Sequence, residues 1–297
     1  MSKNLKISVI IIGYNTSYEL EQLLISINKL KSQEQILEVI YIDDCSIDSS
    51  FSLFQEFPLN IAKRGKKLDK NYGRTFATQK GIDYANGDWY LFIRSNEIIH
   101  PDLILQYRDV MKQISGFAYM GCVKYTSKDK KFEKYLNHNE KGINRKQTGE
   151  KIHYKFLLFN NSLIKKEIFK HIKLNQDLTH YGGEELDFSF KLNDLFPNMI
   201  VACPRALVYR YNYPSLLNHC KRLEEFGYIN FKVLSQKLKL DVVKYKILLK
   251  KYYLLKKMIF IADSLISSLN IYILQKSSYM LVRAQFLTSI LKGYYKK

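Results

Sequence analysis

The stretch Glu38-Val-Ile-Tyr-Ile-Asp-Asp-Cys-Ser-Ile-Asp-Ser-Ser50 decides the fold. Val39 to Asp43 has the makings of a short buried strand, because a run of β-branched and aromatic side chains suits a parallel sheet covered on both faces. The strand then breaks abruptly. Asp43, Asp44, Ser46 and Asp48 cannot continue it, but their short acceptor side chains suit a turn and the N-cap of a following helix. Two carboxylates thus stand at the carboxyl end of a parallel strand, the edge at which open α/β sheets bind ligands.

Upstream, Lys6 to Ile12 forms a second buried strand that turns at Gly13-Tyr14-Asn15. Thr16 and Glu19 have the spacing of a capping box, and Leu20, Leu23, Leu24, Ile27 and Leu30 then recur at helical intervals, completing a βαβ unit. The first turn lacks G-x-G-x-x-G, which argues against a dinucleotide-binding Rossmann domain. Downstream, a short helix after Asp48 carries Phe51 and Phe54 inward and stops at Pro58. Asn71-Tyr-Gly-Arg opens a helix through Ala85, Asn86-Gly87-Asp88 is a turn, and Trp89 to Ile93 is a strand that ends in Arg94-Ser95-Asn96-Glu97. His100-Pro101-Asp102 starts the next helix. Strand, polar turn and helix recur three times, as in a doubly wound α/β half-domain whose ligand crevice is built from strand ends.

The region 127–155 turns charged and irregular and is expected to be a lid or partly disordered. In Tyr181-Gly-Gly-Glu-Glu-Leu-Asp-Phe188 the glycines allow close backbone approach, and Glu184, Glu185 and Asp187 open a helix whose dipole favours them there. Two short strands are expected at Met199 to Cys203 and Ala206 to Tyr211. Beyond Pro214 lie lysine-loaded helical patterns, Leu216 to Lys239 and Val242 to Ile261. We therefore expect a domain over 1–214 and a basic helical extension over 215–297.

A chain of 297 residues with 46% hydrophobic residues can bury a full core, which excludes a disordered protein. Its net charge of +19 calls for an anionic partner: nucleic acid, anionic lipid or a phosphorylated ligand. No recognisable module supports nucleic acid. Cys45, Cys122, Cys203 and Cys220 form no C-x-x-C pair, so neither zinc nor a disulfide framework is suggested, and a reduced, cytoplasmic setting is expected. Met1 is expected to be the true start, without a signal peptide, and Met258 to Leu274 is too interrupted by polar residues to span a bilayer. Tyr252, Tyr253, Met258, Ile259 and Phe260 beside Lys250, Lys251, Lys256 and Lys257 fit either an interfacial helix on the anionic inner membrane face or a solvated helix with a buried stripe.

Across roughly residues 6 to 235 the chain resembles the inverting glycosyltransferases of family 2, with their GT-A fold: a mostly parallel sheet flanked by helices. Val9 to Asn15 is similar to that family's first strand and tyrosine-asparagine turn, and Ile42 to Ser49 to its Asp-Asp-Gly-Ser-x-Asp motif. Asn71-x-Gly73 with Gly81-Ile82 and Ala85-x-Gly87-Asp88 resembles its next segment, and Glu184-Glu185 with Asp187-Phe188 its glutamate-aspartate helix start. The resemblance implies a nucleotide-sugar donor, a UDP-sugar above all, lying across the strand ends with contacts from Tyr14, Asn15, Asp44, Asn71, Arg94, Asn96 and Arg210. It implies Glu185, or its neighbour Glu184, as the base that deprotonates a hydroxyl of a saccharide or lipid-linked saccharide acceptor in cell-surface polysaccharide synthesis. A carboxylate suits that task when its surroundings raise its pKa toward neutrality.

Three motifs depart from the family. Its Asp-x-Asp, which holds a magnesium or manganese ion against the diphosphate, is here Arg94-Ser95-Asn96, leaving Glu97 as the candidate metal ligand. A histidine after the late strand is replaced by Arg210, and Ala-Arg-Asn by Ala77-Thr78-Gln79. Either Arg94 and Arg210 neutralise the diphosphate directly, or the protein is a catalytically inactive relative that binds at the membrane without turnover.

Overall fold

The strand ends that the sequence brings to one edge do meet there. β1 (Ile7–Gly13), β2 (Ile36–Asp43) and β4 (Trp89–Arg94) run parallel, with Gly13 opposite Asp43 and Ile12 opposite Arg94. The computed structural model describes residues 5–237, 253–269 and 279–296. Met1 to Asn4 and residues 242–252 of the expected last helical pattern lie outside them.

The sheet has eight strands in the order β3-β2-β1-β4-β7-β6-β8-β5. β3 (Lys63–Lys67) extends the parallel half, where its lysines and arginine form a charged edge that discourages pairing with other chains. β7 (Ser162–Lys165) pairs antiparallel with both β4 and β6 (Ala118–Ser127), β6 pairs parallel with β8 (Ile200–Tyr213), and β5 (Glu97–Ile99) closes the far edge antiparallel to β8. The two strands expected over 199–211 are thus one. Its register slips between Cys203 and Leu207, a bulge that absorbs the Pro204 interruption.

One face of the sheet packs on α1 (Ser17–Asn28), α2 (Ser50–Glu56) and α4 (Leu103–Gln113) through Leu20, Leu23, Phe54 and Tyr107. The other, through Ile10, Phe92 and Met120, packs on α3 (Arg74–Tyr84), α6 (Ile168–His171) and α7 (Glu184–Leu195). Phe188 and Leu192, at i, i+4, are fully buried and pin α7 to this face. Loss of such a phenyl ring typically costs about 3–5 kcal/mol.

The region 127–155, expected to be a lid or partly disordered, is ordered. It holds α5 (Lys130–Leu136), capped by Asp129, whose Phe132, Tyr135 and Leu136 are buried against Val282. Val282 belongs to the helix Tyr279–Tyr295, which lies with α8 (Leu216–Tyr228), α9 (Asn230–Lys237) and the helix Tyr253–Ser268 in the carboxyl-terminal part of the chain. Aromatic burial outweighed the high charge of the segment. The expected interfacial face is also partly spent inward: Ile259 is buried with Leu291 and Tyr295, and Phe260 packs beside them. Met258, Ile261 and Leu265 remain exposed. Among the described residues no helix is long and apolar enough to cross a membrane.

Candidate active site

A cleft of about 330 Å³ opens at the carboxyl ends of β1, β2 and β4. Its lining includes Tyr14, Asp44, Asn71, Arg74, Arg94, Asn96, Glu184 and Arg210. The two aspartates of the deciding stretch have separate duties. Asp43, fully buried, accepts bonds from the Tyr41 hydroxyl at 3.1 Å and the Ser46 N–H at 2.9 Å, and so holds the turn. Asp44 reaches across to the start of α3 and accepts the N–H groups of Tyr72 at 2.8 Å and Gly73 at 2.9 Å. Gly73 has a φ of +86°, a conformation open to glycine, so both donors can face one carboxylate. Burial holds Asp44 above the usual carboxylate range, and the two N–H groups offset this only in part.

Asp48 completes a different structure. The expected capping box is not formed, because the Thr16 side chain makes no cap bond. Asp48 instead accepts from the Ser17 N–H at 3.0 Å, while the Thr16 N–H donates to Ser50 Oγ at 3.0 Å. Asn15, with φ +52°, accepts from the Ile47 N–H at 2.9 Å. It braces the loop and is not part of the cleft lining.

A lattice of charges borders the cleft: Arg74, Arg94, Glu184 and Arg210 line it, while Glu185 and Glu97 lie outside the lining. Arg94 donates to Glu185 Oε1 at 2.7 Å, the same oxygen that accepts the Phe159 N–H at 3.1 Å. Arg74 pairs with Glu184. Glu97, fully buried, accepts the Arg94 backbone N–H at 2.9 Å and stands opposite Arg210 in the β5–β8 ladder. Neither Arg94 Nε nor Arg210 Nε has a hydrogen-bond partner. Burial and the neighbouring Arg74 lower the Arg94 guanidinium from its usual value, against the opposing pull of Glu185 and Glu97.

Burial pushes Glu184 up despite Arg74. Burial would do the same to Glu185, but Arg94 and Arg74 outweigh it and hold that carboxyl below its usual range. The expectation of a base raised toward neutrality is therefore reversed, because Arg94 sits on it. The two also differ in access: the Glu184 side chain is 1% exposed and that of Glu185 12%. Both stand at the start of α7, which follows Gly183 with its φ of +99°. A Cβ on Gly183 would come within 2.6 Å of Leu234.

The sequence profile described as Glycosyl transferase family 2 matches residues 8–173, more than half of the chain. The chain belongs to glycosyltransferase family 2. An uncharacterized glycosyltransferase of Mycoplasma pneumoniae is 28% identical over 127 residues, which cover 40% of this chain and 42% of the relative. The undecaprenyl-phosphate 4-deoxy-4-formamido-L-arabinose transferase of Proteus mirabilis is 30% identical over 148 residues, 48% of this chain and 44% of the relative. The chain thus matches less than half the length of these curated relatives. Residues 1–349 of TarS from Staphylococcus aureus in complex with UDP superpose with a TM-score of 0.59 at 18% identity, over 98% of this chain and 91% of that one. GalNAc-T7 with UDP, GalNAc and Mn2+ superposes at 0.55 and 15% identity, over 75% and 48%. These structures establish the GT-A fold, with its mixed sheet and flanking helices.

The residues of this family 2 cleft do not fit the divalent cation that the fold implies. Arg94, at the position expected for the first aspartate, is a guanidinium, and Glu97 is buried outside the cleft lining, held by the Arg94 N–H and flanked by Arg210. Among the described residues no three His, Cys, Asp or Glu side chains are grouped to hold a metal. A magnesium or manganese ion held against a diphosphate takes one or two protein carboxylates besides the phosphate oxygens, and here Glu184 and Glu185 are paired with Arg74 and Arg94, and Asp44 with two N–H groups. Glu97, the expected metal ligand, thus lies outside the cleft lining and already accepts the Arg94 N–H. Arg74 was not singled out in the sequence, although a cation as the first residue of a helix opposes the helix dipole and is a signal of a local partner. That partner is Glu184. Phe159, 26 residues from Glu185 in the chain, carried no such signal.

Proposed function

We propose that this chain is an inverting glycosyltransferase that takes a sugar from a UDP-sugar without a divalent metal. Tyr14, Asn71, Asp44 and Asn96 surround the nucleotide and sugar, and Arg94, Arg210 and Arg74 face the diphosphate. The observation that carries this reading is the Arg94–Glu185 pair at 2.7 Å. A diphosphate offers Arg94 two anionic oxygens in place of one carboxylate oxygen, so donor binding draws the guanidinium off Glu185. The released carboxylate rises in pKa and accepts the proton of an acceptor hydroxyl. As that oxygen bonds to the anomeric carbon from the opposite face, the bond to UDP breaks, and the charge on the leaving diphosphate falls to the arginines. The acceptor in this proposal is a saccharide or lipid-linked saccharide, presented at an anionic membrane surface that the net charge of +19 favours. The relative from Proteus mirabilis, a transferase named for undecaprenyl phosphate, supports the lipid-linked form.

The same pair favours one alternative, a silent binder in which Arg94 permanently blocks Glu185. Glu185→Gln separates them. The enzyme reading expects slow UDP release from UDP-N-acetylglucosamine or another UDP-sugar to fall by about 10²–10⁴-fold. UDP binding should hold or tighten, since Arg94 no longer has a carboxylate to leave. Turnover that survives the substitution overturns Glu185 as base, and a wild type that binds UDP yet never releases it from any UDP-sugar leaves the silent binder.

A further inference from the structure

A second cavity, of about 140 Å³, lies on the same sheet face as the donor cleft. It is lined from β6 by Met120 and Cys122, and from beyond α5 by Lys141 and Asn144. The chain segment 158–160 borders both: Phe159 lines the donor cleft, while Leu158 and Asn160 line the second cavity. Glu185 is anchored on that segment through the Phe159 N–H.

The cavity holds a cation without an anion. Lys141 is half-buried, and its ammonium has no ion pair or hydrogen bond to any described residue; it lies 5.0 Å from the Tyr125 ring centroid and 5.3 Å from that of Tyr135. Burial lowers its pKa to about 8, and the only neighbour that opposes this is Cys122. No carboxylate does. Tyr125 meets Tyr213 edge-on at 4.9 Å, and Arg210 lies 5.0 Å over Tyr213, so Lys141 and the cleft's Arg210 straddle one aromatic pair. A second polar group is also unanswered: Asn160, 3% exposed, has an Oδ1 with no partner. A half-buried cation and a buried acceptor that line one cavity, neither with a described partner, are complementary to an anion that carries a hydroxyl.

We infer that this cavity is an anion subsite for the acceptor, which takes a phosphate ester of a polyhydroxy compound, with Lys141 on the phosphate and Asn160 on a hydroxyl. This rests on the donor reading above. Phosphate held on one side of Phe159 places a neighbouring acceptor hydroxyl toward the anchored Glu185. The volume is too small for a nucleotide sugar, so the two ligands do not compete.

The test is a titration of sn-glycerol 3-phosphate into the full chain already saturated with UDP. A second binding event is expected. It should weaken by about tenfold or more in Lys141→Met, persist in Lys141→Arg, and leave UDP affinity unchanged in both. A parallel arm uses vesicles of phosphatidylglycerol in phosphatidylcholine. Lys141-dependent binding of the free ester supports a soluble acceptor, and Lys141-dependent binding of the vesicles alone supports a lipid headgroup. Absence of a second event in both arms, or binding indifferent to Lys141→Met, overturns the subsite while leaving the UDP site intact. Failure of UDP itself to bind removes the donor reading instead.

Discussion

Arg94→Met is the most exacting test of a cleft in which guanidinium stands where a metal is usual. Arg94 now gives one charge-assisted bond to Glu185, at 2.7 Å. In the proposed donor complex it gives two to the diphosphate. With about 1.5–3 kcal/mol net for each such bond, two gained and one surrendered leave about 2 kcal/mol, or roughly thirtyfold in Kd. Methionine keeps the length and apolar stem, and the Glu185 it strands retains the Phe159 N–H, so the variant should fold with a lower Tm. The assay is calorimetric titration with UDP, once in EDTA and once in manganese. Wild type should bind equally in both, and Arg94→Met about thirtyfold more weakly in both. Wild-type binding that requires manganese, or an Arg94→Met that binds like wild type, would refute the reasoning.

Because Arg94 helps hold Glu185 below its usual range, its removal should move the acid limb of kcat/KM for donor hydrolysis to higher pH, since a base loses activity as pH falls through its pKa. A limb that stays put or moves down would assign the titration to another group. Asp44→Asn leaves one acceptor oxygen for the two N–H groups of Tyr72 and Gly73, so it should lower stability by about 1–2 kcal/mol and weaken UDP binding, as read by thermal unfolding and titration. Asp48→Ala, which removes the acceptor for the Ser17 N–H, should lower stability by about 1 kcal/mol and leave UDP affinity alone; a loss of UDP binding there would place Asp48 in the site.

What the sequence determined by itself is the framework of β1, α1, β2, α3 and β4 and the polar turns between them. Each is written in neighbouring side chains: an apolar run for a buried strand, a 3.6-residue repeat for a helix, glycine and short acceptors for a turn. The same local signals miss β3, whose Lys-Arg-Gly-Lys-Lys is polar because it forms an edge, and β5, which is three residues long. They also misjudge 127–155, where Phe132, Tyr135 and Leu136 find a hydrophobic partner in Val282, more than a hundred positions away.

The tertiary structure alone decided the charges of the site. Arg94 and Glu185 are 91 residues apart and meet only because α7 packs over the end of β4, and Glu97 faces Arg210 only because β5 crosses the chain to pair with β8. Composition supplied the arginines and glutamates, but which cation each carboxylate faces follows from strand order. That also decides whether a carboxylate is left to bind a metal or is already spent on a guanidinium, because the attraction between charges depends on distance and burial in the folded chain rather than on position along it.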